Sequence, residues 1–359
     1  MQKTVRFIAF AVVPVIALML APLSFGQVID NPAKPLAKDG GRVLKLAGEW
    51  RITDEAGAFF FKYPDQLQIA ADGSIFVADA EQLLRFSPEG TFIKNLYKKG
   101  QGPGEIGEFF TYFVRARSLF IQDMNTQRFW RADFDGVFQE PINLTNKDFS
   151  GFLGVLTEGF LFLKTVWPPP SERTGRPMEI PHIVTFVSRD GLVEKEIATF
   201  RPKDFLAPQA AMSLTAKITA LSPDLRLLYA FHGRDYLIEV VDVSSGKIVK
   251  RFTRAYDKVP HVERNGEVNF RGKYGSPKLE YEIDVQNLYP VGDRLWVETS
   301  TNDKAKGRLI DVFDKDGRFI DSFYLGAGRS LMAVRDGVIF CQEKNEDETI
   351  SLVKYRIGK

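Results

Sequence analysis

Residues 65–96 set the pattern from which the rest of the chain is built. Apolar and polar side chains alternate there in four short runs, DQLQIA, SIFVAD, LLRFS and TFIKNL, rich in β-branched and aromatic residues. A period of two puts successive side chains on opposite faces, so each run predicts a β-strand. Asp72-Gly73 separates the first two runs and Glu89-Gly90 the last two. Glycine supplies the positive φ that a tight hairpin turn requires.

The same unit recurs down the chain. Unit two covers 111–144, unit three 152–200, unit four 216–253, unit five 284–325 and unit six 331–357. Turns at Asp135-Gly136, Asp190-Gly191, Ser245-Gly246 and Asp316-Gly317 close the hairpins of units two to five. Five units predict four strands each, and the sixth predicts three. Residues 42–52, RVLKLAGEWRI, predict one strand with no hairpin partner nearby. That strand completes the sixth unit, so the pattern predicts an all-β, six-bladed β-propeller whose last blade is closed by an N-terminal strand. A β-sandwich is the competing architecture, but it does not account for six near-equivalent units. A miscount at unit three or at 254–282 would give five or seven blades.

The first 41 residues lie outside this pattern. Lys3 and Arg6 precede an apolar stretch over 7–20, followed by Ser24-Phe25-Gly26. This reads as a signal peptide over 1–26, cleaved after Gly26. The other reading is a retained anchor, for which the stretch is short and interrupted by Pro14. Residues 27–41 hold two prolines, two glycines and several charges without periodicity, and read as a linker. The propeller then occupies 42–359. The expected location is the periplasm or extracellular space, with no membrane span after cleavage and a monomeric state.

Composition narrows the function classes. The net charge is +2 with 26% charged residues, and no basic stripe suggests a nucleic-acid partner. The 30 phenylalanines suit sheets packed face to face. A single cysteine, Cys341, excludes an internal disulfide and reads as a small core residue.

The junction between units one and two carries a family signature. Gly100-Gln101-Gly102-Pro103-Gly104-Glu105-Ile106 resembles the glycine-rich connection between blades of NHL-repeat proteins, and IFVAD at 75–79 resembles their second strand. Asp123 with Arg128 matches the Asp…Arg spacing of that repeat, with the intervening Asn displaced to Asn125; in unit one Arg85 falls one place late. The signature covers about two units. The resemblance implies a six-bladed propeller, in a superfamily of binding and scaffolding modules, lactonases and lyases. It implies a fold more than an activity.

Candidate chemistry is sparse. Residues 102–107 fit G-x-G-x-x-G, but Glu105 and Glu108 would repel a phosphate, Pro103 removes a donor, and no helix follows. They read as a tight turn between blades. His182, His232 and His261 share no metal-ligand spacing. Asp133…Asp135 and Asp314…Asp316 resemble fragments of calcium loops without the required glutamate, and read as hairpin turns. There is no G-x-S-x-G. Asn143-Leu144-Thr145 is a glycosylation sequon with meaning only on a eukaryotic secretory route. The acidic run at 343–348 reads as a solvated loop.

Connections between strands two and three of a blade, and between one blade and the next, emerge on one face of a propeller. The long inserts at 164–181 and 254–282, the glycine-rich loop, and the loops at 300–307 and 343–348 all fall into those classes. The other face keeps short turns. This asymmetry predicts a recognition surface over the channel, built from Trp167, Arg173, Arg176, His182, Tyr256, Lys258, His261 and Arg264. The expected function is non-catalytic binding of a protein or glycan, with no cofactor and no metal site. The alternative is a hydrolase or lyase with a divalent metal at the central channel.

Overall fold

The computed structural model describes residues 28–55, 57–144, 148–207, 210–212, 215–262, 279–345 and 347–358. The signal-peptide reading therefore concerns residues outside the described ones. The described chain is all-β apart from one turn of 3-10 helix at Pro170–Glu172, and its strands form six blades around an axis. No helix among the described residues is long and apolar enough to cross a membrane.

Blade one runs Pro64–Ile69, Ile75–Asp79, Gln82–Phe86 and Phe92–Asn95, from the axis outward. Its second strand is buried at every position. Ile75 and Val77 enter the core shared with blade six, while Phe76 and Ala78 enter the core shared with blade two. A middle strand thus buries both faces in different cores, which is why such strands read as continuous apolar runs. Six hydrophobic cores fill the six contacts between neighbouring blades. Between blades two and three the filling is aromatic, with Phe129 lying 4.7–5.3 Å, centroid to centroid, from Phe152, Phe160 and Phe162. The turn after the third strand of blade one is closed by Gly90 N–H to Ser87 C=O at 3.0 Å, with Gly90 at φ +86°.

Blade two departs from the expected pattern. Phe110–Arg115, Ser118–Asp123 and Arg128–Asp133 form its ladder, but the fourth segment makes isolated bridges to the third, Ala132↔Phe138 and Phe129↔Ile142, in place of a ladder. Pro141 has no N–H to donate, so a regular outer strand cannot form. Blade three comprises Gly151–Val155, Gly159–Thr165, His182–Ser188 and Glu194–Phe200.

The ring closes as expected. Leu46–Ile52 pairs antiparallel with Ile350–Ile357, from Leu352↔Ile52 to Ile357↔Leu46, and completes the blade of Arg329–Arg335 and Val338–Lys344. Glu343, read as part of a solvated loop, lies at the end of a strand and helps fasten this closure. It pairs with Arg51 of the N-terminal strand and with Arg329, and accepts the Tyr355 hydroxyl. Of these contacts, the one with Arg51 forms only when the termini meet.

The segment read as a linker is a strap. Val28–Asn31 adds in parallel to Ile248–Arg254 on the outside of blade four, whose other strands are Ile218–Leu221, Leu227–Phe231 and Leu237–Asp242. Arg42–Val43, expected in blade six, pairs in parallel with Phe319–Tyr324 on blade five, outside Gly307–Phe313, Arg294–Asp303 and Val285–Val291. Asn31 joins the two blades. Its amide donates to Thr253 C=O at 2.8 Å and Gly317 C=O at 2.9 Å and accepts Phe319 N–H at 2.9 Å. Edge strands present unpaired N–H and C=O groups, and an aperiodic segment can satisfy them without an alternating pattern.

Candidate functional site

The long connections share one face, because strand order sets their direction. A second feature of that face was not legible as such. Arg176–Glu179, from the 164–181 insert, pairs with Lys203–Ala207, which pairs with Ala210–Met212 in the connection to blade four. The two connections thus form a small sheet on the same face as the other long loops.

Four of the expected residues belong to this region. Trp167 keeps 42% of its surface exposed, and Lys217 Nζ lies 4.8 Å from its ring centroid. Arg173 turns inward and donates to Pro168 C=O at 3.1 Å, which folds the triproline loop. Arg176 is exposed at the start of its strand. His182 is fully buried, with Nδ1 3.1 Å from Nδ1 of His232. Burial pushes His182 down to about 4, helped by the positive charge of Lys217. Burial and the neighbouring His182 push His232 down to about 3. Both imidazoles are neutral at neutral pH, so one donates to the other. Asp204, completely buried, accepts the Thr215 hydroxyl at 2.8 Å and lies 3.9 Å from Lys217 Nζ.

Three more residues lie between blades four and five. The Tyr256 hydroxyl meets Ser300 Oγ at 3.0 Å and Thr301 Oγ1 at 2.7 Å. Lys258 Nζ pairs with Asp284 at 2.8 Å and with Asp235. His261 Nδ1 lies 3.2 Å from Glu282 Oε1. The contacts of Tyr256 and Lys258 root the 254–282 insert on the blades, and that of His261 ties its two ends together. Arg264 lies outside the described residues.

The motifs set aside on sequence grounds have structural roles. Glu105 accepts Gly102 N–H at 2.9 Å, which closes the glycine-rich loop as a turn. Asp123 accepts Gly107 N–H at 2.9 Å, and Arg128 donates to Gln101 C=O, so the repeat's Asp and Arg hold that loop to blade two. Asp133 and Asp314 accept backbone N–H groups of their own hairpins. Cys341 is buried between blades five and six, and burial pushes its thiol up to about 12.

The aromatic side chains tell more. All five that stand most exposed among the described residues, Phe60, Tyr63, Phe109, Trp167 and Tyr281, lie in connections of the long-loop face. Sequence reasoning missed four of them, because an aromatic in a connection gives no periodic signal. The central channel, about 840 Å³, reaches the first hairpins at the opposite end, by Arg115, Gly292 and Asp336. Among the described residues no three His, Cys, Asp or Glu converge to hold a metal ion.

The chain matches no protein-family profile. It matches no curated protein either. Its shape does have likenesses. A candidate exported protein from Bacteroides fragilis superposes with a TM-score of 0.58 over 93% of this chain and 100% of its own, at 13% identity. A member of the DUF4221 family from Bacteroides vulgatus gives 0.53 over 89% and 99%, at 10% identity. A gluconolactonase from Xanthomonas campestris gives 0.49 over 90% and 99%, at 13% identity, too distant a likeness to bear on activity. The blade arrangement and the first two of these likenesses together make the chain an all-β, six-bladed β-propeller.

Proposed function

We propose that this is an exported propeller that binds a protein or glycan on its long-loop face without catalysing a reaction. The observation that carries the reading is the placing of the exposed aromatics: all five stand on that face. Exposed aromatic side chains are costly to leave in water and are the usual anchors of recognition surfaces. Trp167 is the strongest of them, because Lys217 holds one side of its ring while the rest is open.

A photo-crosslinking side chain placed at Trp167 in intact cells should form adducts, whereas one at Leu192, in a short turn of the other face, should not. Equal adducts from both positions would remove the reading. Against the glycan or protein so identified, Trp167→Ala and Arg176→Ala should each weaken binding about tenfold, as loss of an anchor does. The melting temperature should stay nearly constant, and a large fall would mean that the insert packs as core. The competing reading, a metal-dependent hydrolase or lyase at the channel, is separated by metal content. A stoichiometric divalent ion after purification without chelator would displace the binding reading.

A further inference from the structure

Between blades one, two and three the long-loop face is indented by a pocket of about 390 Å³. Its wall holds four aromatic rings and three carboxylates, with no lysine, arginine or histidine. Tyr63 and Phe109 stand at the rim, 72% and 64% exposed, and Phe152 is buried at the base. Asp79 accepts the backbone N–H of Lys62 at 2.7 Å and of Tyr63 at 2.6 Å, which fixes the loop that carries the Tyr63 ring.

The pocket has a charge demand that the protein does not meet. The lysines of the neighbouring connection are engaged elsewhere, Lys98 by Glu105 and Lys99 by Glu81. Asp65 and Glu108 are left without an ion pair among the described residues. Two hydroxyls of the wall are taken: Thr111 donates to Gln66 Oε1 at 3.0 Å and Ser150 to Leu163 C=O at 3.2 Å, which leaves the Tyr63 hydroxyl and the Gln66 amide as its side-chain donors. Two carboxylates without an ion pair beside aromatic faces suit a positive charge better than a neutral group, because a cation draws on both the charge and the π-faces. Lys62 Nζ already lies 5.6 Å from the Tyr63 ring centroid, so that ring can hold an ammonium group.

We propose that this pocket binds an alkylammonium group, its charge set against Asp65 and Glu108 and its carbon body against Tyr63, Phe109 and Phe152. The proposal deepens the reading above and rests on it only in placing the ligand on the long-loop face. The group can be a lysine side chain of a bound partner or a free quaternary amine, since both present a positive charge on an alkyl body. The volume is in the range of small-ligand sites.

Calorimetric titration with choline, with its neutral isostere 3,3-dimethylbutanol and with N-acetyl-lysine N-methylamide tests it. At least one cation should saturate the protein, and the isostere should bind at least tenfold more weakly. Glu108→Gln and Tyr63→Ala should each weaken the cation at least fivefold. Lys62→Gln should strengthen it about twofold, because it removes the chain's own competitor from the ring. Tighter binding of choline would identify a free amine as the source, and tighter binding of the lysine derivative a partner's side chain. Equal affinity for choline and its isostere, or no saturable binding of either cation, would overturn the proposal. Trp167→Ala should leave the cation affinity unchanged. Loss of cation binding with crosslinking from position 167 intact would remove this proposal and leave the recognition face standing.

Discussion

Deleting residues 42–52 lowers the melting temperature by about 7 °C and makes the chain associate. The deletion removes the outer strand of blade six and leaves the ladder groups of Ile350–Ile357 unpaired. It also removes Ile52 from the core it shares with Phe59, Phe340 and Leu352, and Trp50, whose ring lies 5.8 Å from that of Phe340 and whose N–H donates to Pro88 C=O at 3.1 Å. Each large apolar side chain contributes roughly 1.5–3 kcal/mol by burial. With the lost hydrogen bonds and the clasp between Arg51 and Glu343, the total reaches on the order of 5 kcal/mol. At roughly 2.1 cal/mol/K of unfolding entropy per residue, a domain of this size loses about 1.5 °C per kcal/mol, which sets the expected fall. Calorimetry and light scattering read the two effects. An unchanged melting curve would show that the ring is held some other way.

The second large effect is acid lability carried by His182 and His232. An unfolded histidine titrates near 6.5, whereas these fold with values of about 4 and about 3. Between pH 6.5 and 4 the unfolded chain therefore binds more protons than the folded one, so stability falls as pH falls through that window. The full cost is about 1.4 kcal/mol per pH unit for each ring. Asp311 acts in the opposite direction. It is buried, pairs with Arg254 at 2.8 Å, and burial pushes its carboxyl up to about 6, so the folded chain gains stability from it as pH falls from 6 toward 4. One raised carboxyl offsets about one of the two histidines. The net loss from pH 6.5 to 4.5 is on the order of 3 kcal/mol. Urea unfolding of the native chain and of His182→Gln/His232→Gln at several pH values checks it. The double variant should show a flat or reversed slope across this window, and a slope equal to the native one would sink the account.

Both effects arise at places that were only partly readable in advance. His182 stood out in the sequence as one of three histidines and as a residue beside an insert, which suggested a ligand contact. It is instead sealed against His232, 50 residues away, under connections that the period-two pattern does not cover. Lys217, which steadies Trp167, and Asp204 gave no signal, because each takes its role from a neighbour distant in the chain. Tyr63 and Phe109 meet at one pocket only because blades one and two are adjacent at the axis.

The order of strands, the number of blades and the partner of the N-terminal strand followed from the sequence alone. They rest on side-chain alternation and turn residues, which act over a few positions and leave a repeating trace. The course of residues 28–44, the irregular outer segment of blade two, the small sheet over blade three and the pairing of buried charges were decided by tertiary structure. In each, the satisfying partner is an edge, a carbonyl or a charge brought close by the closing of the ring, and such a partner writes no local pattern into the residues that meet it.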